Sequence, residues 1–362
     1  MKNKRIVFVH FFNSYTGSPQ VLKTVIESLT DYEVTLITNR TEGFLTGLDI
    51  NYHYFNFNLT NNRLTTLFNY FAAQVSIFFK VLFIINKNDL AYINTSIPVF
   101  AAFAARVKGA TILFHLHEDR KSLNFVHRFV SYFRKYFCEY EIFVSNYLFT
   151  KEHIPGKKYF ILPNVLNKNF FEKAVKHSLI DKTKLPFNVL MICSLKTYKG
   201  VYEFLDIADK LLTEKDITFT LVVSETKELI DNFFYNTFIP SNVTIHESTY
   251  NTIPFYEKAS IVLSLSRVDE WIETFGLTIL EGMSFGIPCI VPPIGGPTEL
   301  IKPEVNGFQI SSYDKVRIIN SILMLRNDKE LYKKISNNNK KRALDFSYVA
   351  FKEKLNKTIN EI

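Results

Sequence analysis

The sequence predicts an α/β chain made of two doubly wound parallel-sheet domains in tandem. Three observations predict it. The 362 residues are too many for one ordinary core and suit two. Short apolar runs alternate with amphipathic helical stretches throughout, which is the rhythm of parallel sheets. A polar stretch at 172–184, followed by Pro186, divides the runs into two series.

In the first series the strands are read at 5–10, 33–38, 90–94, 111–115, 142–145 and 159–162. Helices lie between them near 19–29, 64–85, 99–108 and 125–137. The N-terminal apolar run stops at Phe12 and gives way to Asn13-Ser14-Tyr15-Thr16-Gly17, so it reads as strand and loop of the mature protein rather than a signal peptide. The longest apolar segment, 71–85, is interrupted by Gln74 and Lys80 and falls short of the roughly 20 residues a bilayer requires. It is read as a buried or interfacial helix. The second series has strands at 188–194, 218–223, 243–246, 261–266, 288–291 and 307–310, with helices near 201–212, 227–234, 277–285 and 315–326. The domains are therefore set at 1–170 and 171–344, and a basic amphipathic tail helix, 345–362, can dock on either domain, the first included. Two such domains facing one another leave a cleft, with ligands at the carboxyl ends of the strands.

Composition narrows the function. At 47% hydrophobic and 22% charged residues the chain is a globular protein, not a disordered one. Cys138, Cys193 and Cys289 are odd in number, widely spaced and set among apolar neighbours, so they read as reduced thiols of a cytoplasmic protein. The net charge of +8 is lopsided: residues 1–170 hold 19 basic against 11 acidic side chains, and the remainder holds 24 of each. The densest basic run contains Arg120, Lys121, Arg128, Arg134 and Lys135 with no acid among them. Phe129, Phe133, Tyr136 and Phe137 recur there at helical spacing. Such a helix suits an anionic membrane surface or the acceptor side of a site, or else packs its aromatics inward and turns its charges to water. No nucleic-acid-binding motif is present.

The chemistry concentrates in Glu273-Thr274-Phe275-Gly276-Leu277-Thr278-Ile279-Leu280-Glu281, which follows the strand at 261–266. Gly276 allows close backbone approach, and a helix starting at Leu277 offers free N–H groups and a positive dipole end to a diphosphate. Glu281, one turn in, reaches ribose hydroxyls; Glu273 points to the other end of such a ligand. Both acids have a plainer reading as solvated residues at a helix start. In the first domain, Asn13–Ser18 joins strand to helix, with Ser18 expected as N-cap and Pro19 at the first helical position. His115-Leu116-His117-Glu118-Asp119 follows the strand at 111–115, and alternation puts His115 and His117 on one side. No third ligand stands at a metal-binding spacing.

The Glu273–Glu281 stretch resembles the E-x7-E signature of the family 4 retaining glycosyltransferases, which have the GT-B fold of two facing Rossmann-like domains. Further motifs agree in order. Glu281-Gly282-Met283-Ser284-Phe285-Gly286-Ile287-Pro288 is similar to the family's helix-to-strand passage. Gly295-Gly296-Pro297-Thr298-Glu299 resembles its glycine turn, and Ser194-Leu195-Lys196-Thr197-Tyr198-Lys199-Gly200 its Gly-Arg-Leu…Lys-Gly segment. The resemblance implies that Lys199 neutralises the donor diphosphate and that Glu273 contacts the transferred sugar. Thr274, Phe275, Gly276 and Leu277 then bind the phosphates, and Glu281 the ribose. Gly17 and Ser18 match the loop facing the reacting phosphate, and His117 the histidine that reaches the sugar. Ser194 stands where the family has arginine, and Lys196 is the candidate replacement cation.

The expected activity is that of a retaining, metal-independent hexosyltransferase with a UDP- or GDP-linked sugar as donor and no cofactor. Its acceptor is expected to be a saccharide, lipid-linked, in capsule or O-antigen type synthesis at the inner face of the plasma membrane. The competing readings are a sugar-nucleotide epimerase of similar fold and a non-catalytic subunit that binds glycan or membrane.

Overall fold

The computed structural model describes residues 5–60, 62–119, 132–177 and 186–362. The chain forms two compact units, 1–165 with 349–362, and 166–348. The helix Tyr348–Asn360 accordingly gathers with the first unit, where the Tyr32 hydroxyl donates to Asn360 Oδ1 at 3.4 Å.

Each unit is built on a wholly parallel sheet. In the first, β1 (Arg5–His10), β2 (Glu33–Asn39), β3 (Asn51–Phe55), β4 (Leu90–Asn94), β5 (Thr111–Leu116), β6 (Tyr140–Phe143) and β7 (Lys158–Ile161) lie in the order β3-β2-β1-β4-β5-β6-β7. In the second, β8 (Phe187–Cys193), β9 (Ile217–Val223), β10 (Val243–His246), β11 (Ile261–Leu263), β12 (Cys289–Val291) and β13 (Gly307–Gln309) lie in the order β10-β9-β8-β11-β12-β13. The order reverses between β1 and β4 and again between β8 and β11. At such switch points neighbouring connections depart to opposite faces, and a crevice opens beyond the strand ends. The central strands are buried on both faces, so they read as continuous apolar runs (Ile6-Val7-Phe8-Val9, Val189-Leu190-Met191) rather than alternating ones. β3 was not expected, because Asn51-Tyr52-His53-Tyr54-Phe55 is a half-exposed edge strand with few aliphatic residues.

Three helices of the first unit matter below: α1 (Gly17–Ser28), α2 (Arg63–Ile84) and α3 (Val99–Lys108). α1 starts earlier than the sequence suggested. Thr16, not Ser18, is the cap residue, and Pro19 falls at the third helical position, where its missing N–H is still harmless. α2 matches the helix read at 64–85 to within a residue at each end, and its 22 residues are long and apolar enough to cross a membrane, which the run 71–85 alone is not.

The basic helix is corrected where it is described. Arg120, Lys121 and Arg128 lie outside the described residues. Arg134 does not face water: it is 1% exposed, with Nη2 at 3.4 Å from Glu141 and 3.8 Å from Glu152, and it donates to the Glu152 carbonyl at 2.6 Å. The aromatics Tyr132, Phe133 and Tyr136 are the exposed side chains instead. A guanidinium can be buried when carboxylates and carbonyls satisfy it, and helical periodicity cannot anticipate partners 7 and 18 residues downstream. Lys135 keeps its surface place, with Nζ 3.7 Å from the Tyr132 ring centre and 4.9 Å from that of Tyr136.

Candidate functional site

In the second unit the loops after β8 and β11 meet at the switch point. After β8 the chain makes a short 3-10 turn, Thr197–Lys199, and then Gly200 at φ +80° opens the helix Val201–Lys210. A side chain at Gly200 would put Cβ 2.2 Å from the Leu265 carbonyl oxygen, so only glycine lets this loop close on the end of β11. The closure brings Lys199 Nζ into an ion pair and hydrogen bond with Glu273 Oε1, while Ser266 Oγ donates to the same oxygen at 3.1 Å. Burial pushes the Glu273 carboxyl up. The Lys199 charge, together with hydrogen bonds from Lys199 and Ser266, more than offsets this and holds it below the ordinary value.

A glycine turn locks the other side of Glu273. Gly296 N–H donates to the Glu273 carbonyl at 2.9 Å. A Cβ at Gly295 (φ +87°) would sit 2.4 Å from that oxygen, and one at Gly296 would sit 2.2 Å from the Thr274 carbonyl oxygen. The turn therefore presses on the Glu273–Phe275 backbone and fixes its path into the helix Leu277–Ser284, whose cap residue is Gly276 at φ +107°. Phe275 contributes its backbone only, since its ring is buried against Phe346. One turn along, Glu281 Oε2 accepts from the Tyr256 hydroxyl at 2.6 Å. Burial pushes Glu281 up to about 7, and the Tyr256 bond pulls it back.

The site thus unites Lys199, Glu273, Gly276, Leu277 and Glu281 on adjoining loops and one helix start. Ser194 is half-buried just past β8. Lys196 is exposed on the same loop and makes no side-chain ion pair among the described residues. Sequence reasoning missed Ser266, Tyr256 and the stacked pair Tyr198–Trp271, whose rings lie 5.0 Å apart with Lys199 Nζ 5.0 Å from the indole centre. Trp271 is the only tryptophan and sits two residues before Glu273, a signal that was available. Tyr256 comes from a helix 25 residues away and gave none.

In the first unit a cavity of about 390 Å³ opens beyond β1 and β4, lined by Phe12, Ser14, Ser18, Thr95 and Glu118 among others. Burial pushes Glu118 up to about 7. His10, Asn94 and His117 close the ends of β1, β4 and β5 beneath it. His115 and His117 lie ring to ring at 4.2 Å, and the Tyr92 hydroxyl is 2.8 Å from His115 Nδ1. Burial drives His10 down to about 4 and His115 to about 3; His117 is driven well down by burial and by both neighbouring histidines. All three are neutral near pH 7, so they act as hydrogen-bonding groups, not cations. Gly17 opens α1 and Ser18 lines the cavity. Among the described residues no group of three His, Cys, Asp or Glu could hold a metal ion.

Comparison with known proteins bears on this geometry. Residues 172–342 match the family model described as glycosyl transferases group 1. The UDP-Gal:alpha-D-GlcNAc-diphosphoundecaprenol alpha-1,3-galactosyltransferase of Escherichia coli is 27% identical over 266 residues, covering 68% of each chain. The N-acetyl-alpha-D-glucosaminyl L-malate synthase of Bacillus anthracis is 26% identical over 166 residues, and the match spans 41% of its length. The crystal structure of Anabaena HepE in complex with UDP and glucose superposes with a TM-score of 0.80, covering 99% of this chain and 100% of that one at 19% identity. The fold is therefore that of the GT-B glycosyltransferases, two parallel-sheet α/β domains. The matched segment holds Lys199, Glu273 and Glu281.

Proposed function

We propose that this protein is a retaining glycosyltransferase. It moves a hexose-type sugar from a UDP- or GDP-linked donor to a lipid-linked saccharide during capsule or O-antigen type synthesis, at the cytoplasmic face of the plasma membrane. The observation that carries the reading is the Lys199–Glu273 pair, held beside the Leu277 helix start by the Gly295–Gly296 turn. A leaving diphosphate needs cations and N–H donors that are already in place, and this corner supplies both. Lys199 exchanges part of its bond to Glu273 for the phosphate, Lys196 adds a second cation from the same loop, and the helix end offers its N–H groups. Glu273 steadies the oxocarbenium-like sugar without bonding to it, and Glu281 receives the ribose hydroxyls.

Acceptance falls to the first unit, where the cavity combines an aromatic wall at Phe12 with hydroxyls and Glu118. Same-face attack, with the departing phosphate oxygen taking the acceptor's proton, leaves the neutral His117 as a positioning group rather than an acid. The lipid-linked acceptor draws support from the relative named for GlcNAc-diphosphoundecaprenol. With protein cations meeting the diphosphate, turnover is expected to persist in EDTA.

The test is to incubate the protein with uridine and guanosine sugar nucleotides, with and without a GlcNAc-diphosphoprenol acceptor, and to identify products by mass spectrometry and NMR. An α-linked saccharide formed only with acceptor supports the reading. An isomerised donor without acceptor makes the protein an epimerase, and inertness towards all donors leaves a non-catalytic subunit.

A further inference from the structure

Helix α2 presents an apolar face outward. Leu64, Phe68, Phe71, Val75, Phe79 and Phe83 follow one another at three- or four-residue intervals, all exposed, with Leu64 at 77%, Phe68 at 73% and Phe83 at 81%. A helix that only covers a sheet carries polar residues there. The opposite face already does the covering: Tyr70, Ala73, Gln74, Ile77 and Val81 are buried. So α2 carries apolar side chains on its outward face as well as its buried one, which in water leaves an unmet surface.

Its inner face also prevents it from spanning a bilayer. Gln74 Nε2 donates to the Ile97 carbonyl at 2.8 Å, Gln74 Oε1 accepts from the Phe100 N–H at 3.3 Å, and the Tyr70 hydroxyl donates to Ile97 at 3.3 Å. Withdrawing α2 would break these bonds and uncover the sheet. The helix can meet lipid only by lying in the surface plane.

The apolar face extends beyond α2 through ring contacts. Phe79 touches Phe83 at 6.4 Å and Phe78 at 5.4 Å; Phe78 meets Phe103 of α3 at 5.2 Å, and Phe103 meets Phe137 at 5.5 Å. Next to Phe137 stand exposed Tyr132, Phe133 and Tyr136, with Lys135 over the two tyrosine rings. The charges along these elements have one sign. Arg63, Lys80, Arg106, Lys108, Arg134 and Lys135 are the charged residues of α2, α3 and 132–137, with Arg134 buried and Arg106 paired to Glu139 at 2.9 Å.

We propose that α2, α3 and the Tyr132–Phe137 segment form a docking face for an anionic bilayer, with the phenylalanines in the acyl boundary and the lysines and tyrosines at headgroup level. A second copy of the chain is disfavoured as occupant, because a two-fold interface would set these cations against one another. The same helix touches the cavity wall: the Tyr70 ring lies 5.3 Å from that of Phe11, and Phe11 and Ile97 both line the cavity. One helix diameter, about 10 Å, then separates lipid from cavity. Insofar as the proposed function holds, this distance suits an acceptor whose sugar enters the cavity while its lipid stays in the membrane.

Vesicle binding tests the face without donor or acceptor, so it stands or falls apart from the reaction. The full chain is mixed with vesicles of phosphatidylcholine, alone or with phosphatidylglycerol, and compared with the variant carrying Phe68→Ser, Phe79→Ser and Phe83→Ser. The wild type is expected to bind the anionic vesicles more tightly, with affinity falling as salt rises. The variant should keep its melting temperature and lose about 100-fold or more in partitioning. Equal partitioning of the two proteins overturns the proposal. So does a wild type that ignores vesicles and sediments as a dimer that the variant dissolves.

Discussion

Asn94 Oδ1 lies 2.9 Å from His117 Nε2, across the β4–β5 strand pair. The amide nitrogen of Asn94 faces His10 Nδ1 at 3.0 Å and the Ser18 carbonyl at 3.4 Å. A carbonyl can only accept, so the Ser18 contact fixes which end of the amide is nitrogen. Asn94 therefore donates to His10 and accepts from His117, whose Nε2 carries the proton. Three strand ends beneath the cavity are tied by one side chain.

The first prediction concerns that tie. In Asn94→Asp a carboxylate faces both imidazoles and favours their protonated forms. The wild-type His117 stays neutral because burial holds its pKa well down, so the acid limb of kcat/KM should move toward neutral pH in Asn94→Asp. Asn94→Ala should lower kcat, up to about 10²-fold, with the limb unmoved, because it loosens His117 without adding charge. Superimposable pH profiles for all three proteins would remove His117 from the reaction.

The second concerns Glu281. Its carboxyl sits near 7, raised by burial, so near neutral pH it is only partly ionised. Ribose hydroxyls donate best to a carboxylate, so donor affinity should rise as pH rises through about 7. Tyr256→Phe deletes the bond that favours ionisation. The midpoint should therefore move to higher pH, read as donor Kd by calorimetry across pH 5.5 to 9 (about one pKa unit to each side or more). A donor Kd that is flat with pH would show that Glu281 does not touch the ribose.

The third concerns Arg134. Removing one partner of a buried ion pair leaves the other uncompensated, at a cost of about 3–5 kcal/mol. Arg134→Met takes the guanidinium from the wholly buried Glu141, leaving it His153 Nδ1 at 2.7 Å and the Ile154 N–H at 3.1 Å, whereas Lys135→Met changes a surface side chain. Urea unfolding should show a large loss for the first and little change for the second. Equal, small losses would return Arg134 to the surface.

Much of this was legible in the sequence, for reasons the residues make plain. Both sheets were readable because central parallel strands such as Val189–Met191 are buried on two faces and leave unbroken apolar runs. The corner of Lys199, Glu273 and Glu281 was readable because its geometry rests on glycines and acids at short spacing, where chain order nearly determines position. What escaped was made by long-range pairing. Tyr256 reaches Glu281, and Arg134 reaches Glu141 and Glu152, only once the fold exists. For α2 the sequence left buried and interfacial readings open, because a helix apolar on both faces looks, as a string, like one that is simply buried. His10 and Asn94 could have been found by asking which polar residues end the strands flanking a switch point.

The last prediction separates Lys199 from Lys196, the two lysines of the loop after β8. Lys199 is held on Glu273 and at the indole face of Trp271, so its charge is fixed before donor arrives. Fixed charge is worth most where charge develops, in the transition state. Lys199→Met should therefore lower kcat by about 10²–10³-fold with a smaller change in donor KM. Its loss leaves the Ser266 bond but removes the largest opposition to burial at Glu273, so that carboxyl should move up in pKa, adding an alkaline shift to the pH–rate profile. Lys196 is exposed and unpaired among the described residues, so whatever it gives the diphosphate is given equally to bound donor and transition state. Lys196→Met should raise donor KM several-fold, within about 1 kcal/mol, and leave kcat nearly unchanged. Should Lys196→Met instead cut kcat as deeply as Lys199→Met, then Lys196 has taken over the role of the arginine replaced at Ser194. If neither variant differs from wild type, the diphosphate is not bound in this corner at all.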